Sequence, residues 1–130
     1  GKFDGGKLTA DEKVIDSFYT SLLAWINSSD VIRKGKFFDL QYAQNAGYPK
    51  DKVYSYLRYT EKDRNLIICN FDSVDHSFAL EIPTLALDMM GVKSVQWKEE
   101  KAFLPPASSA VKVEGNHIQI PANSAIIITL

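Results

Sequence analysis

A single cysteine, Cys69, is the only thiol among 130 residues, so no internal disulfide can form and no thiolate zinc cluster can be built. Its place in an apolar run reads as a buried packing thiol rather than a reactive one. Basic excess is missing too: 15 Lys and Arg stand against 16 Asp and Glu, a net charge of -1, which disfavours a nucleic-acid or anionic-lipid partner. No apolar run reaches the roughly 20 residues of a membrane helix, and no signal-peptide pattern opens the chain. Gly1 stands where an initiator Met would be, which reads as a stretch of a longer polypeptide. Absence of disulfides fits either cytoplasm or periplasm. No glycine loop of the phosphate-binding kind and no nucleophile elbow is found.

What is present is a soluble globular composition, 45% hydrophobic and 24% charged, in a chain of one-domain size. Two runs organise it. Val53 to Tyr59 and Asn65 to Asp72 are rich in β-formers, and the polar stretch Thr60 to Arg64 between them predicts an antiparallel hairpin. Val53, Ser55, Leu57 and Tyr59 share one face of the first strand, with Tyr54, Tyr56 and Arg58 on the other. The second strand is apolar on both faces from Leu66 to Cys69, which marks it as central and covered on each side.

Upstream, Thr9-Ala10-Asp11-Glu12 matches a capping box and predicts a helix over 9–27. Its apolar stripe, through Val14, Phe18, Leu22 and Trp25, is wider than a one-sided surface helix requires. Left open, that stripe could pair two copies of the chain. Phe37 to Leu40 reads as a strand, and Gln41 to Lys52, with Asn45, Gly47 and Pro49, as a long surface loop. Further strands are expected at His76–Ile82, Val92–Lys98, Val111–Glu114, His117–Ile120 and Ala125–Leu130, with a short helical turn over Thr84–Met90 capped by Gly91. The pattern predicts a mainly β fold, an antiparallel β-sandwich of about seven or eight strands with one N-terminal amphipathic helix. The division expected is 1–30, loop and helix, and 31–130, the all-β part.

Reactive groups are sparse. His76 and His117 stand singly, without a carboxylate or thiol at metal-ligand spacing, and read as packed or solvated histidines. Asp72 and Asp75 flank a turn and suit it by bonding its backbone, with too few oxygens nearby for a calcium loop. No metal or cofactor is implied. Aromatic faces are the remaining candidates, since the C–H face of a sugar packs on a ring as other apolar surfaces do. Tyr42 and Tyr48 in the long loop, with Tyr54 beside them, are the candidate carbohydrate-binding residues; Tyr56, Tyr59, Phe71, Phe78 and Trp97 read as core.

The order of segments then resembles a known family. Phe18-Tyr19-Thr20-Ser21-Leu22-Leu23, Ile32-Arg33-Lys34-Gly35-Lys36-Phe37, Val53-Tyr54-Ser55-Tyr56-Leu57-Arg58, Leu66-Ile67-Ile68-Cys69-Asn70-Phe71 and Ile120-Pro121-Ala122-Asn123-Ser124-Ala125 resemble the end of α-amylase superfamily glycoside hydrolases (glycoside hydrolase family 13). The opening Gly1 to Gly6 is similar to the loop before the last barrel helix in the cyclomaltodextrinase and neopullulanase branch. The resemblance implies that 9–27 is the final helix of a catalytic β/α barrel and that the rest is the C-terminal β-sandwich, domain C. It implies a non-catalytic domain that stabilises the barrel of an enzyme acting on α-glucans such as starch, maltodextrins or cyclodextrins. The family's three catalytic carboxylates lie on barrel strands and have no counterpart in this sequence. An independent carbohydrate-binding module using Tyr42, Tyr48 and Tyr54 is the alternative. The loop 41–52 and the apolar segment 84–90 depart from the family pattern.

Overall fold

The computed structural model describes Thr20, Ala24 and residues 34–98, 100–104 and 109–130. Apart from Thr20 and Ala24, both helical, the helix expected over 9–27 lies outside the described residues, as do the pairing of two copies through it and the boundary near residue 30. Within them the fold is mainly β, with eight strands in two antiparallel sheets, as the strand pattern predicts. The strands are β1 (Lys36–Asp39), β2 (Val53–Tyr59), β3 (Arg64–Asn70), β4 (His76–Ala79), β5 (Glu100–Phe103), β6 (Lys112–Glu114), β7 (His117–Ile120) and β8 (Ser124–Thr129).

The β2–β3 hairpin forms in the expected place, with Tyr59 opposite Arg64 and Val53 opposite Asn70. Thr60 closes its loop. The Thr60 N–H donates to Asp63 O at 2.8 Å, and Thr60 Oγ1 accepts from the N–H groups of Lys62 and Asp63 at 3.3 and 3.1 Å. β3 is the middle strand of a five-stranded sheet in the order β1-β2-β3-β8-β5. That position fits its apolar run, since Leu66 and Ile68 on one face and Ile67 and Cys69 on the other are all buried.

The smaller sheet runs β4-β7-β6. Its β6–β7 hairpin turns through Gly115 and Asn116, with Glu114 opposite His117. Gly115 has φ 57° in the first central position, as in a type II′ turn, which matches the twist of the flanking strands. Leu57, Leu66, Ile68, Ile126 and Ile128 of the large sheet and Phe78, Ile118 and Ile120 of the small one pack into a single core, each buried to 2% exposure or less. Two sheets closing on one core are the expected sandwich.

A short helix, α1 (Thr84–Met90), follows β4 and ends as the glycine predicts. Gly91 takes φ 73°, its N–H donates to Asp88 O at 3.0 Å, and the Val92 N–H donates to Leu87 O at 3.0 Å. This is a Schellman motif, with Leu87 and Val92 both partly buried against the core.

Three expectations need correction. Val92–Lys98 is irregular rather than a strand. Val95 and Trp97 do pack against the core, but Val92 is committed to the helix cap, and the first ladder-like bond is Lys98 N–H to Thr129 O at 2.8 Å, just before β5. The strand expected over His76–Ile82 stops at Ala79, because the backbone of Glu81 bonds to the Gln44 side chain instead of to a strand. The segment 41–52 is not a free surface loop: it begins with a 3-10 turn, Gln41–Ala43, and buries Gln44 and Tyr48.

Candidate functional site

The three candidate tyrosines are dispersed by the fold. Tyr48 is 4% exposed, its ring edge-on to Phe78 with centroids 5.1 Å apart. Its hydroxyl lies 2.6 Å from Gln41 Oε1, 2.8 Å from Ser55 Oγ and 3.1 Å from Val53 O. A phenol has one proton. Donated to Gln41 Oε1 over the shortest distance, it leaves Ser55 Oγ as donor to Tyr48, while Val53 O accepts from Gln41 Nε2 at 3.0 Å. The Ser55 N–H also donates to Gln41 Oε1, at 3.0 Å. Burial pushes the Tyr48 phenol up to about 12, the Ser55 hydrogen bond opposing part of the rise. Tyr48 therefore holds the segment 41–52 onto β2, and its ring offers no open face to a sugar.

Gln44 does the same work on the other side. Its Nε2 donates to Leu40 O and to Glu81 O, each at 2.8 Å, and its Oε1 accepts from the Glu81 N–H at 2.9 Å. Buried polar side chains satisfied in this way fix one arrangement of the chain.

Tyr42 and Tyr54 do not share a surface patch. Tyr42 sits on the 3-10 turn, 62% exposed, with its ring 6.2 Å from Phe38, which packs against the sandwich core. Tyr54 points from the opposite face of β2, beside Tyr56 at 5.5 Å. There it joins a row that the sequence reading missed. Phe37 on β1 lies 5.3 Å from Tyr56, and the Arg58 guanidinium sits 5.4 Å from the centre of the Phe37 ring. Burial raises the pKa of both Tyr54 and Tyr56 above the ordinary phenol value. The strand alternation had already put Tyr54, Tyr56 and Arg58 together. What it lacked was the neighbour, Phe37, which only the pairing of β1 with β2 supplies.

Phe71, read as core, is 50% exposed just beyond the end of β3, whereas Tyr59 and Phe78 are core residues as expected. Asp72 and Asp75 act as turn residues. The Asp72 carboxylate meets His76 Nε2 at 2.8 Å and accepts from the Ser73 N–H at 2.7 Å, and the hydrogen bond from His76 is the main reason its pKa falls below the ordinary carboxylate value. Asp75 accepts from Ser109 Oγ and from the Ala122 N–H, and is lowered likewise. His117 Nε2 pairs with Ser77 Oγ at 3.1 Å. Among the described residues no group of three or more His, Cys, Asp or Glu could hold a metal ion. A groove of about 380 Å³ beside the Gly91 end of α1 mixes Lys34 and Lys36 with Glu61 and Asp88, so it presents no field of one sign.

No family model matches the chain, and no curated protein matches it either. Solved structures do. A mutant of MutB in complex with glucose superposes with a TM-score of 0.55 at 20% identity, over 87% of this chain and 17% of that one. Trehalulose synthase MutB from Pseudomonas mesoacidophila MX-45 gives a TM-score of 0.54, 20% identity and the same coverage. An isomaltulose synthase mutant from Erwinia rhapontici NX5 in complex with D-glucose gives 0.56 at 15% identity, over 86% of this chain and 17% of that one. The likeness is one of fold: a two-sheet β domain that spans about a sixth of the length of these chains.

Proposed function

We propose that the chain is the non-catalytic C-terminal β domain of an α-amylase-type enzyme acting on α-glucans or smaller α-glucosides, and that its task is to stabilise the catalytic barrel. The observation that carries this reading is the outer face of the five-stranded sheet. A domain that needs only its own sandwich core requires one apolar face per sheet, with the other solvated. Here the outer face holds an apolar row, Phe37, Tyr54, Tyr56, Ile67, Cys69, Ala125 and Ile127, running from β1 through β8 beside Asp39, Arg58, Asn65 and Thr129. A sheet so built is the middle layer of three. The segment resemblance to domain C and the fold shared with part of trehalulose and isomaltulose synthases support the same assignment. The reading expects no hydrolysis or isomerisation of maltoheptaose or sucrose by the chain alone, and early thermal inactivation of the full-length polypeptide when the chain is removed. Turnover by the isolated chain would overturn it.

A second reading, a carbohydrate-binding module, keeps support from Tyr42, whose ring is open, and from Tyr54. Calorimetric titration with maltoheptaose and β-cyclodextrin separates the two readings. A saturable isotherm weakened by Tyr42→Ala favours the module, and no heat at millimolar sugar favours the scaffold.

A further inference from the structure

Residues 92–98 alternate like a strand without pairing as one, and part of the segment walls a groove. It is anchored at its two ends, by the Val92 N–H on Leu87 O and the Lys98 N–H on Thr129 O, and among the described residues Lys93 to Trp97 make no backbone hydrogen bond. Ser94, Val95 and Trp97 line a groove of about 210 Å³ together with Leu80, Glu81 and Asn116. Leu80 is 1% exposed, and Val95 and Trp97 are partly buried against the core, so the groove is apolar beneath a polar rim. Two of its polar residues are held in place. Gln44 bonds both backbone groups of Glu81, and Asn45 Nδ2 donates to Glu81 Oε1 at 3.4 Å, which leaves Oε2 without a partner among the described residues. The Asn116 carbonyl accepts from the Leu80 N–H at 2.8 Å, which fixes the exposed turn that carries the Asn116 amide.

We infer that this groove binds one hexopyranose unit, with the C–H face of the ring against the Trp97 indole and its hydroxyls on the Glu81 carboxylate and the Asn116 amide. Such a site goes beyond the scaffold role, which needs no ligand, and it uses none of Tyr42, Tyr48 and Tyr54. Size limits the occupant. A volume of about 210 Å³ is below the roughly 300–1,000 Å³ of sites for drug-sized ligands, so the groove has room for a single ring and not for a length of peptide. Chemistry selects among rings. The indole and the apolar lining suit the C–H face of a sugar. A carboxylate with a free oxygen accepts from neighbouring hydroxyls, and a primary amide both donates and accepts, as a hydroxyl does. An anion would meet the Glu81 charge. An organic cation would suit an indole beside a carboxylate, but Lys93 and Lys98 flank the segment, and their charge opposes it. A neutral polyhydroxylated ring is indifferent to both signs.

The test follows the Trp97 indole N–H resonance of the chain by NMR, assigned by its loss in Trp97→Phe, during titration with maltose and, separately, with tetramethylammonium chloride. Maltose should shift it saturably with a Kd on the order of millimolar, the affinity that a ring of about a dozen heavy atoms reaches at ordinary ligand efficiency. Glu81→Ala, whose backbone stays pinned by Gln44, should weaken binding by on the order of tenfold with an unchanged circular dichroism spectrum. Asn116→Ala, on the exposed turn, should weaken it in the same direction and serves if Glu81→Ala loses its fold. Tyr42→Ala should leave the titration unmoved. No saturable shift with maltose, or a shift that the Glu81 and Asn116 variants both leave untouched, would overturn the site while leaving the scaffold reading standing. Tighter binding of tetramethylammonium than of maltose would make the groove an organic-cation site and overturn the assignment. Maltose binding abolished by Tyr42→Ala would move the sugar to the 3-10 turn, with the same consequence.

Discussion

Both faces of the five-stranded sheet carry apolar rows, but the rows are closed to different degrees. Leu57, Leu66, Ile68, Ile126 and Ile128 on the inner face are all at 0% exposure, whereas the outer row grades from Ala125 at 0% to Phe37 at 48%. The inner face is satisfied by the chain's own second sheet, so its residues report on whether the domain folds. The outer face is satisfied toward β8 and open toward the β1 edge, so its residues at that edge report on what the domain meets.

That contrast can be broken by substitution. Ile68→Ala opens a cavity between the sheets and should cost about 2–5 kcal/mol by urea denaturation. Phe37→Ala in the same assay should cost well under about 1 kcal/mol, because an exposed ring loses little burial. Equal losses would mean that the outer edge is as structural as the core.

Alkali sharpens the contrast, since each face holds a buried group that strongly resists deprotonation. Burial pushes the Cys69 thiol, on the outer face, from 9.0 up to about 12, and Tyr48, on the inner side, from 10.0 to about 12. The unfolded chain releases these protons at the lower values and the folded chain holds them, so the stabilisation is full below pH 9 and is lost as pH rises toward 12. Together the two should remove on the order of several kcal/mol over that window. In Cys69→Ala the decline should begin nearer pH 10 than 9, and an unchanged alkaline profile would show that the thiol is not buried in solution. Gln44→Ala comes next, leaving the Glu81 N–H and two carbonyls without their partner at a cost of about 1–3 kcal/mol by thermal melting. The smallest effect lies at the acid end. Asp72 has its pKa lowered from 3.8, so its contribution is complete above that value and fades as pH falls below it. Asp72→Asn should flatten that part of the stability profile, and a profile like that of the parent chain would remove the role of the His76 contact.

Much of this fold is local, and what is local is readable in the sequence. β2, β3, the Gly115 turn and the Gly91 cap each follow from residues adjacent in the chain. The limits come from long-range pairing. Tyr48 looks like a loop tyrosine until Gln41 and Ser55 are seen to enclose its hydroxyl, and Ser55 lies across a strand. Val95 and Trp97 alternate as strand residues do, yet their alternation records burial without a ladder partner. Glu81 leaves its strand because a glutamine 37 positions earlier takes both of its backbone groups. Phe37 became visible as part of a row only once β1 was registered against β2.

The Gln44 side chain has one further consequence. β4 is an edge strand, and an edge strand offers unpaired N–H and C=O groups on which another chain can add. Gln44 meets the Glu81 N–H with its own carbonyl and the Glu81 C=O with its own amide, as a neighbouring strand would. One side chain thus takes up the backbone groups just past β4 that a longer strand would have left open, and the edge strand stays only four residues long.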